Sequence, residues 1–243
     1  MHGLRKLMLG SAAAALALTA LGAPAAAADT AGTLAIVNGV PGQRIDICIG
    51  SKEQRSGVPY GSYYRKDVIG TGPKVLRFYK QNNAKTCGGT KLGQKTLDIG
   101  AGDDFTVVLT KKSPKIVVFD NASPFHLGEI PPRGVDLTYP WVSWANAAEF
   151  DTNLFYTWWS PNPTFPVTPN ANPLFEKGDR FVGIPGAEHI YRLWATMPEK
   201  SAEIAARGFR SKDSRRYEAI LVGTVRANAK FVLINRGISA VSP

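Results

Sequence analysis

Two adjacent carboxylates, Asp103 and Asp104, follow Gly100-Ala101-Gly102. Adjacent acids in a turn are a pair that can ligate Ca²⁺ or share general acid and base work. Neighbours on a strand point to opposite faces, however, so two such side chains seldom converge on one bond. The pair is therefore expected to be a solvated turn leading into a strand at Phe105. Ser, His and Asp all occur in the chain, but no G-x-S-x-G or comparable nucleophile elbow does. His126 falls between the two halves of the chain and His189 at the start of a predicted strand, positions that suit structural or surface histidines better than a triad. These patterns assign no catalytic residue, no cofactor and no metal.

The aromatic residues are more suggestive. All five tryptophans, Trp141, Trp144, Trp158, Trp159 and Trp194, lie in the second half. Trp144 and Trp194 sit in strand patterns and are expected in a core. Trp158 and Trp159 are adjacent, so a strand would turn one ring outward, and they lead into a stretch to Pro173 that holds five prolines and Phe165. Such a stretch is stiff and extended, which lowers the entropy lost on meeting a partner, and exposed ring faces bind sugars or apolar chains. The densest basic run, Arg207, Arg210, Lys212, Arg215 and Arg216, is in the same half. It has no interleaved Trp or Tyr platform, which argues against nucleic acid. The candidate ligand-binding residues are therefore Trp158, Trp159, Phe165, Arg215 and Arg216, with rings for contact and arginines for steering.

The N-terminus reads as a secretory signal: Arg5 and Lys6, an apolar run from Leu7 to Leu21, and Ala26-Ala27-Ala28 before Asp29. Cleavage after Ala28 would remove two basic residues and no acidic one, lowering the formal charge from +10 to +8. An excess of that size attracts anionic polymers. No later stretch has the roughly 20 apolar residues of a spanning helix. Two cysteines in an oxidising compartment, Cys48 and Cys87, read as one disulfide.

The elements that must carry these residues are strands. With 24 Gly and 17 Pro, roughly one residue in six interrupts regular structure, which argues against a helical bundle. Thr33 to Asn38, Arg44 to Ile49, Lys74 to Lys80, Asp104 to Thr110 and Lys115 to Phe119 are short, β-branched or aromatic, and bounded by Gly or Pro. One helix is predicted, Met197 to Arg207, with Thr196 and Glu199 as a capping box and Gly208 as its stop. The chain also repeats itself. Gly72 to Tyr79 resembles Ala187 to Trp194, with Arg77 matching Arg192; Phe105 to Leu109 resembles Tyr217 to Leu221; Lys115 to Asn121 resembles Lys230 to Arg236. A weaker match sets Ala35 to Gly39 against Val142 to Asn146. Two divergent copies follow, 32–121 and 136–240, after a signal at 1–28 and joined by a linker at 122–135 that contains Pro131-Pro132. The expected fold is all-β: two tandem immunoglobulin-like antiparallel β-sandwich domains, with one short helix in the second.

Ala35-Ile-Val-Asn-Gly-Val-Pro-Gly42, Ile45-Asp-Ile-Cys-Ile49, Gly57-Val-Pro-Tyr-Gly-Ser62 and the spacing Leu97, Gly100, Phe105-Thr-Val-Val108 resemble the bacterial secreted domain-of-unknown-function family numbered 4397. The second copy replaces the Pro-Gly strand exit with Ala147-Ala148-Glu149. The resemblance implies an exported immunoglobulin-like sandwich, often in tandem, without established activity or catalytic residues. Together these readings predict an exported, non-catalytic module that binds an anionic cell-envelope polymer or glycan. The contrasting readings are an envelope hydrolase with an unrecognised site, which calls for a deep polar pocket, and a ligand-free spacer.

Overall fold

Strands β1 (Ala31–Asn38) and β7 (Asp104–Leu109) lie side by side in parallel. Their side chains alternate between two buried faces: Leu34, Ile36, Val107 and Leu109 enter one core, and Ala35, Val37 and Val108 another. A strand covered on both faces needs a continuous apolar run rather than an alternating one, and Leu34 to Val37 and Val107 to Leu109 supply it. The structure, a computed structural model, describes residues 31–82, 87–121, 141–159, 170–178, 180–181, 190–198, 200–212 and 215–238.

The first half contains two four-stranded sheets. One has the order β4 (Tyr63–Gly70), β1, β7, β8 (Ile116–Asp120); the other has β3 (Lys52–Val58), β2 (Ile45–Ile49), β5 (Gly72–Lys80), β6 (Lys91–Ile99). The second half repeats the pattern with β12 (Arg180–Phe181), β9 (Trp141–Asn146), β15 (Arg215–Val222), β16 (Lys230–Ile238), and with β11 (Asn170–Phe175), β10 (Thr152–Trp159), β13 (Ile190–Met197), β14 (Lys200–Arg210). Each strand of the first half thus has a counterpart eight places later at the same position in its sheet. Of the ladders, β1–β7 and β9–β15 are parallel, a departure from the expected all-antiparallel pairing. Arg77 on β5 stands between Cys48 and Gln94, and Arg192 on β13 stands between Thr157 and Gly208.

Asn38 and Asn146 close β1 and β9 in the same way. They lie opposite Leu109 and Leu221, and each side-chain carbonyl accepts from the N–H two residues on, that of Val40 or of Ala148, at 2.9 Å. These ladders align Asn38 with Asn146, one residue away from the register given by comparing the sequences. That comparison followed apolar residue types, whereas the structural anchor is the polar turn.

Three apolar layers separate the four sheets. Leu34, Ile45, Ile47, Leu76, Phe78 and Leu109 fill the first sandwich, and Trp144, Leu193, Ala195, Tyr217, Leu221 and Phe231 the second. Between them, Ala35, Val37, Val108, Val117 and Phe119 of the first half meet Ala145, Ile220, Val222, Val232 and Ile234 of the second. The molecule is a pair of β-sandwiches stacked face to face. Fully burying a Val, Leu, Ile or Phe side chain contributes about 1.5–3 kcal/mol, so the middle layer is a third core in its own right.

The predicted helix at Met197 to Arg207 is not formed. Ile190–Met197 and Lys200–Arg210 are the two strands of a hairpin, paired from Ile190↔Arg210 to Met197↔Lys200. Thr196, the predicted cap, is buried opposite Glu203, and Ala205 enters the core. Ala, Glu, Lys and Arg favour helix only weakly, and pairing along the open edge of β13 outweighs that preference. Among the described residues the helical segment is a single 3₁₀ turn, Arg226–Asn228.

Candidate functional site

Among the described residues, a group of ionisable side chains lies inside the seam between the halves. Asp104, Thr106 and Asn121 come from the first half, and Arg216, Glu218 and Arg236 from the second. Arg236 Nη1 reaches Asp104 Oδ1 at 2.6 Å, its Nη2 reaches Glu218 Oε2 at 2.6 Å, and it also donates to Thr106 Oγ1. Thr106 donates to Glu218 Oε2 at 2.6 Å, Asn121 Nδ2 donates to Thr106 Oγ1 at 2.8 Å, and Arg216 Nη2 lies 3.3 Å from Asp104 Oδ2. Asp104 is 5% exposed, which overturns the expected solvated turn. It faces the same side of β7 as Val108, towards a sheet that supplies two guanidinium groups. Asp103 behaves differently: its carboxylate accepts from the Gly100 N–H at 2.6 Å and stays near the surface. The two carboxylates do not converge.

The sequence-predicted residues divide between several places. Cys48 and Cys87 are bonded, with Cα atoms 5.9 Å apart. Trp158 and Trp159 end β10 opposite Tyr191 and Ile190 of β13; their side chains, and Phe165 altogether, lie outside the described residues. Trp144 is buried in the second core, whereas Trp194 is half-buried, with the Arg192 guanidinium 5.5 Å from its ring centroid. Arg215 is half-buried at the start of β15. Arg216 is tied into the seam through Asp104, so it is not a free steering charge. The exposed cations of the basic run are Arg207, Arg210 and Lys212.

One cleft opens where three sheet edges meet. Gly61, Ser62 and Tyr63 at the start of β4, Arg207 of β14, and Phe231, Val232 and Leu233 of β16 enclose about 230 Å³. The turn before β4 shapes it. Gly61 has φ +69°, in the left-handed region that glycine enters most easily. A Cβ at Gly61 would also fall 1.7 Å from Lys230 Cε. Lys230 uses that space: its Nζ donates to the Tyr60 carbonyl at 2.7 Å and lies 4.1 Å from the centroid of the Tyr60 ring. The Tyr60 hydroxyl donates across the seam to the Asn228 carbonyl, with the Val222 carbonyl at 3.3 Å. Burial pushes the Tyr60 phenol up to about 12 and lowers the Lys230 ammonium from its ordinary value. Tyr63 stands opposite Val37 on β1 and so faces the second half, 37% exposed. Nothing local in the sequence of Gly57 to Ser62 shows that a strand nearly 170 residues later completes the cleft.

No family model matches the chain. No curated protein matches it either. Among solved structures it is similar to the Bacillus anthracis TIE protein, at 12% identity and a TM-score of 0.24, over 83% of this chain and 34% of that one. It thus spans about a third of the length of that protein. It is also similar to a structure solved for alpha-glucan recognition by family 41 carbohydrate-binding modules from streptococcal virulence factors, at 8% identity and a TM-score of 0.24, over 82% of this chain and 96% of that one.

Proposed function

We propose that the chain is an exported, non-catalytic binding module of the cell envelope, built from two divergent copies of one sandwich and directed at an anionic polymer or glycan. The observation that carries this reading is the lining of the seam cleft. Among the described residues its functional groups are a phenol ring, a serine hydroxyl, a guanidinium and strand backbone, which suit hydrogen bonding and ring contact. The acids of the seam that could have moved a proton, Asp104 and Glu218, are engaged with Arg236. Export is supported by the Cys48–Cys87 bond together with the N-terminal signal pattern. The duplicated strand order supports the two-copy reading; kinship with family 4397 rests on the sequence motifs of the first half alone.

Binding of the mature protein to immobilised wall polymers and glycans, at low and high salt, tests the proposal. Retention on at least one polymer is expected. Trp158→Ala with Trp159→Ala should reduce retention at every ionic strength, whereas Arg210→Gln with Lys212→Gln should reduce it mainly at low ionic strength, where long-range attraction acts. Failure to bind any polymer would leave the spacer reading.

A further inference from the structure

The free edge of β16 carries hydrogen-bonding groups into the cleft, and their direction follows from the neighbouring ladder. The Leu221 carbonyl accepts from the Ala147 N–H at 2.9 Å, so the amide groups of Leu221 face β9. By the two-residue period of a strand, those of Ile220 and Val222 face β16, where their partners are Val232 and Lys230. Phe231 and Leu233 therefore turn their own N–H and C=O groups away from β15, over the open edge. Both ends of that edge are closed. Arg65 Nη2 donates to the Arg236 carbonyl at 2.9 Å and Nη1 to the Asn235 carbonyl, while Lys230 holds the Tyr60 carbonyl at the other end. The open length is about 7 Å, too short for an added strand of the usual five or six residues but enough for a single amide. Beside it lie the exposed Tyr63 and Arg207, and Arg207 has no carboxylate partner among the described residues.

We infer that this cleft binds one sugar residue carrying both an acetamido group and a carboxylate, a specificity that rests on the binding reading above. The acetamido group exchanges hydrogen bonds with the outward amide groups of β16, as a strand would. The carboxylate meets the Arg207 fork, which is suited to it in geometry and charge. The ring lies against Tyr63. A volume of about 230 Å³ is below the range of roughly 300–1,000 Å³ found for drug-sized ligands, so the cleft takes a single ring of a polymer rather than a longer stretch.

The test is an amide chemical-shift titration of the full mature protein with N-acetylmuramic acid, and in parallel with N-acetylglucosamine, glucuronic acid and N-acetylalanine. N-acetylmuramic acid is expected to shift the resonances of Tyr63 and Leu233 and to bind about tenfold more tightly than each of the others, the scale of one charge-assisted hydrogen bond. Arg207→Gln, an exposed substitution, should bring N-acetylmuramic acid down to the level of N-acetylglucosamine and leave the latter unchanged; Tyr63→Ala should weaken the sugars alike. Equal binding of N-acetylmuramic acid and N-acetylglucosamine, or shifts confined to residues outside the cleft, overturns the inference. So does an equal response to N-acetylalanine, which would assign the cleft to a peptide terminus. In any of these cases retention on a wall polymer would still uphold the binding module; loss of all binding would end both.

Discussion

At Tyr60 a phenol leaves water to bond across the seam while Lys230 lies over its ring, and burial holds its pKa at about 12. The unfolded chain ionises such a phenol near pH 10, so between pH 10 and 12 the unfolded state has released a proton that the folded state retains. The stability tied to the neutral phenol is complete below pH 10 and is lost as the pH rises through 12. Lys230 has the opposite sign: its burial cost is felt while it is charged and fades as the pH climbs through its lowered pKa. Tyr60→Phe separates the two. Urea unfolding at pH 9 and pH 12 is expected to show wild type more stable than the variant at pH 9, with the margin shrinking or reversing at pH 12. A constant margin would mean that the phenol does not titrate with folding. Asp104 marks the limit of what was legible at this scale. Its chemistry was readable, but its burial depends on Arg236, and no local pattern links two residues so far apart in the chain.

Among the elements, the strands with the densest apolar runs were the legible ones. β1, β2, β5, β7 and β8 are apolar enough to announce themselves, and their observed limits fall within a few residues of those expected. β3, β4 and β6 were missed because they lie at sheet edges and are rich in charge: Lys52, Glu53 and Arg55 on β3, Arg65, Lys66 and Asp67 on β4, Lys91 and Lys95 on β6. Such residues guard an edge against pairing with another chain, and they also hide it from a search for hydrophobic runs. β14 was misread for a related reason, since its composition suits a helix and only its partner β13 makes it a strand. The disulfide belongs to this scale too. It ties β2 to the segment after β5 across a separation of 39 residues, and closing a loop of that length contributes about 4 kcal/mol in the chain-entropy model. Denaturant unfolding of Cys48→Ala with Cys87→Ala, compared with wild type, should show a loss of that order. A loss well under 1 kcal/mol would show that the disulfide restrains the unfolded chain little.

For the molecule as a whole, the seam decides whether there are two bodies or one. An apolar layer drawn from both halves, with an ionic cluster at one end and the Tyr60–Lys230 contact at the other, couples them through buried surface. Calorimetry is expected to show one unfolding transition rather than two. Removing one member of a buried ion pair strands its partners without compensation and typically costs about 3–5 kcal/mol. Arg236→Ala would leave Glu218 without a guanidinium while Asp104 keeps Arg216 at 3.3 Å, so it should cost an amount of that order and split the transition. If Arg236→Ala unfolds at the wild-type temperature in a single step, the ionic cluster does not hold the halves together. The recurring strand order accords with the internal similarity, but the face-to-face stacking was not legible, because local sequence carries little trace of the surface on which one sandwich meets another.

The parallel pairing of β1 with β7 also bears on the order of events as the chain first folds. β1 is the earliest strand of the first sandwich, yet its parallel neighbour arrives some seventy residues later. β9 must likewise wait for β15, and Arg236 lies in the last of the described strands. Long-range pairings of this kind close slowly. Until the strands of the second half are in place, the apolar faces bearing Val37 and Val108 have nothing to meet. Assembly is therefore a late step, and a partly folded chain exposes sticky surface for as long as the remaining strands are unpaired.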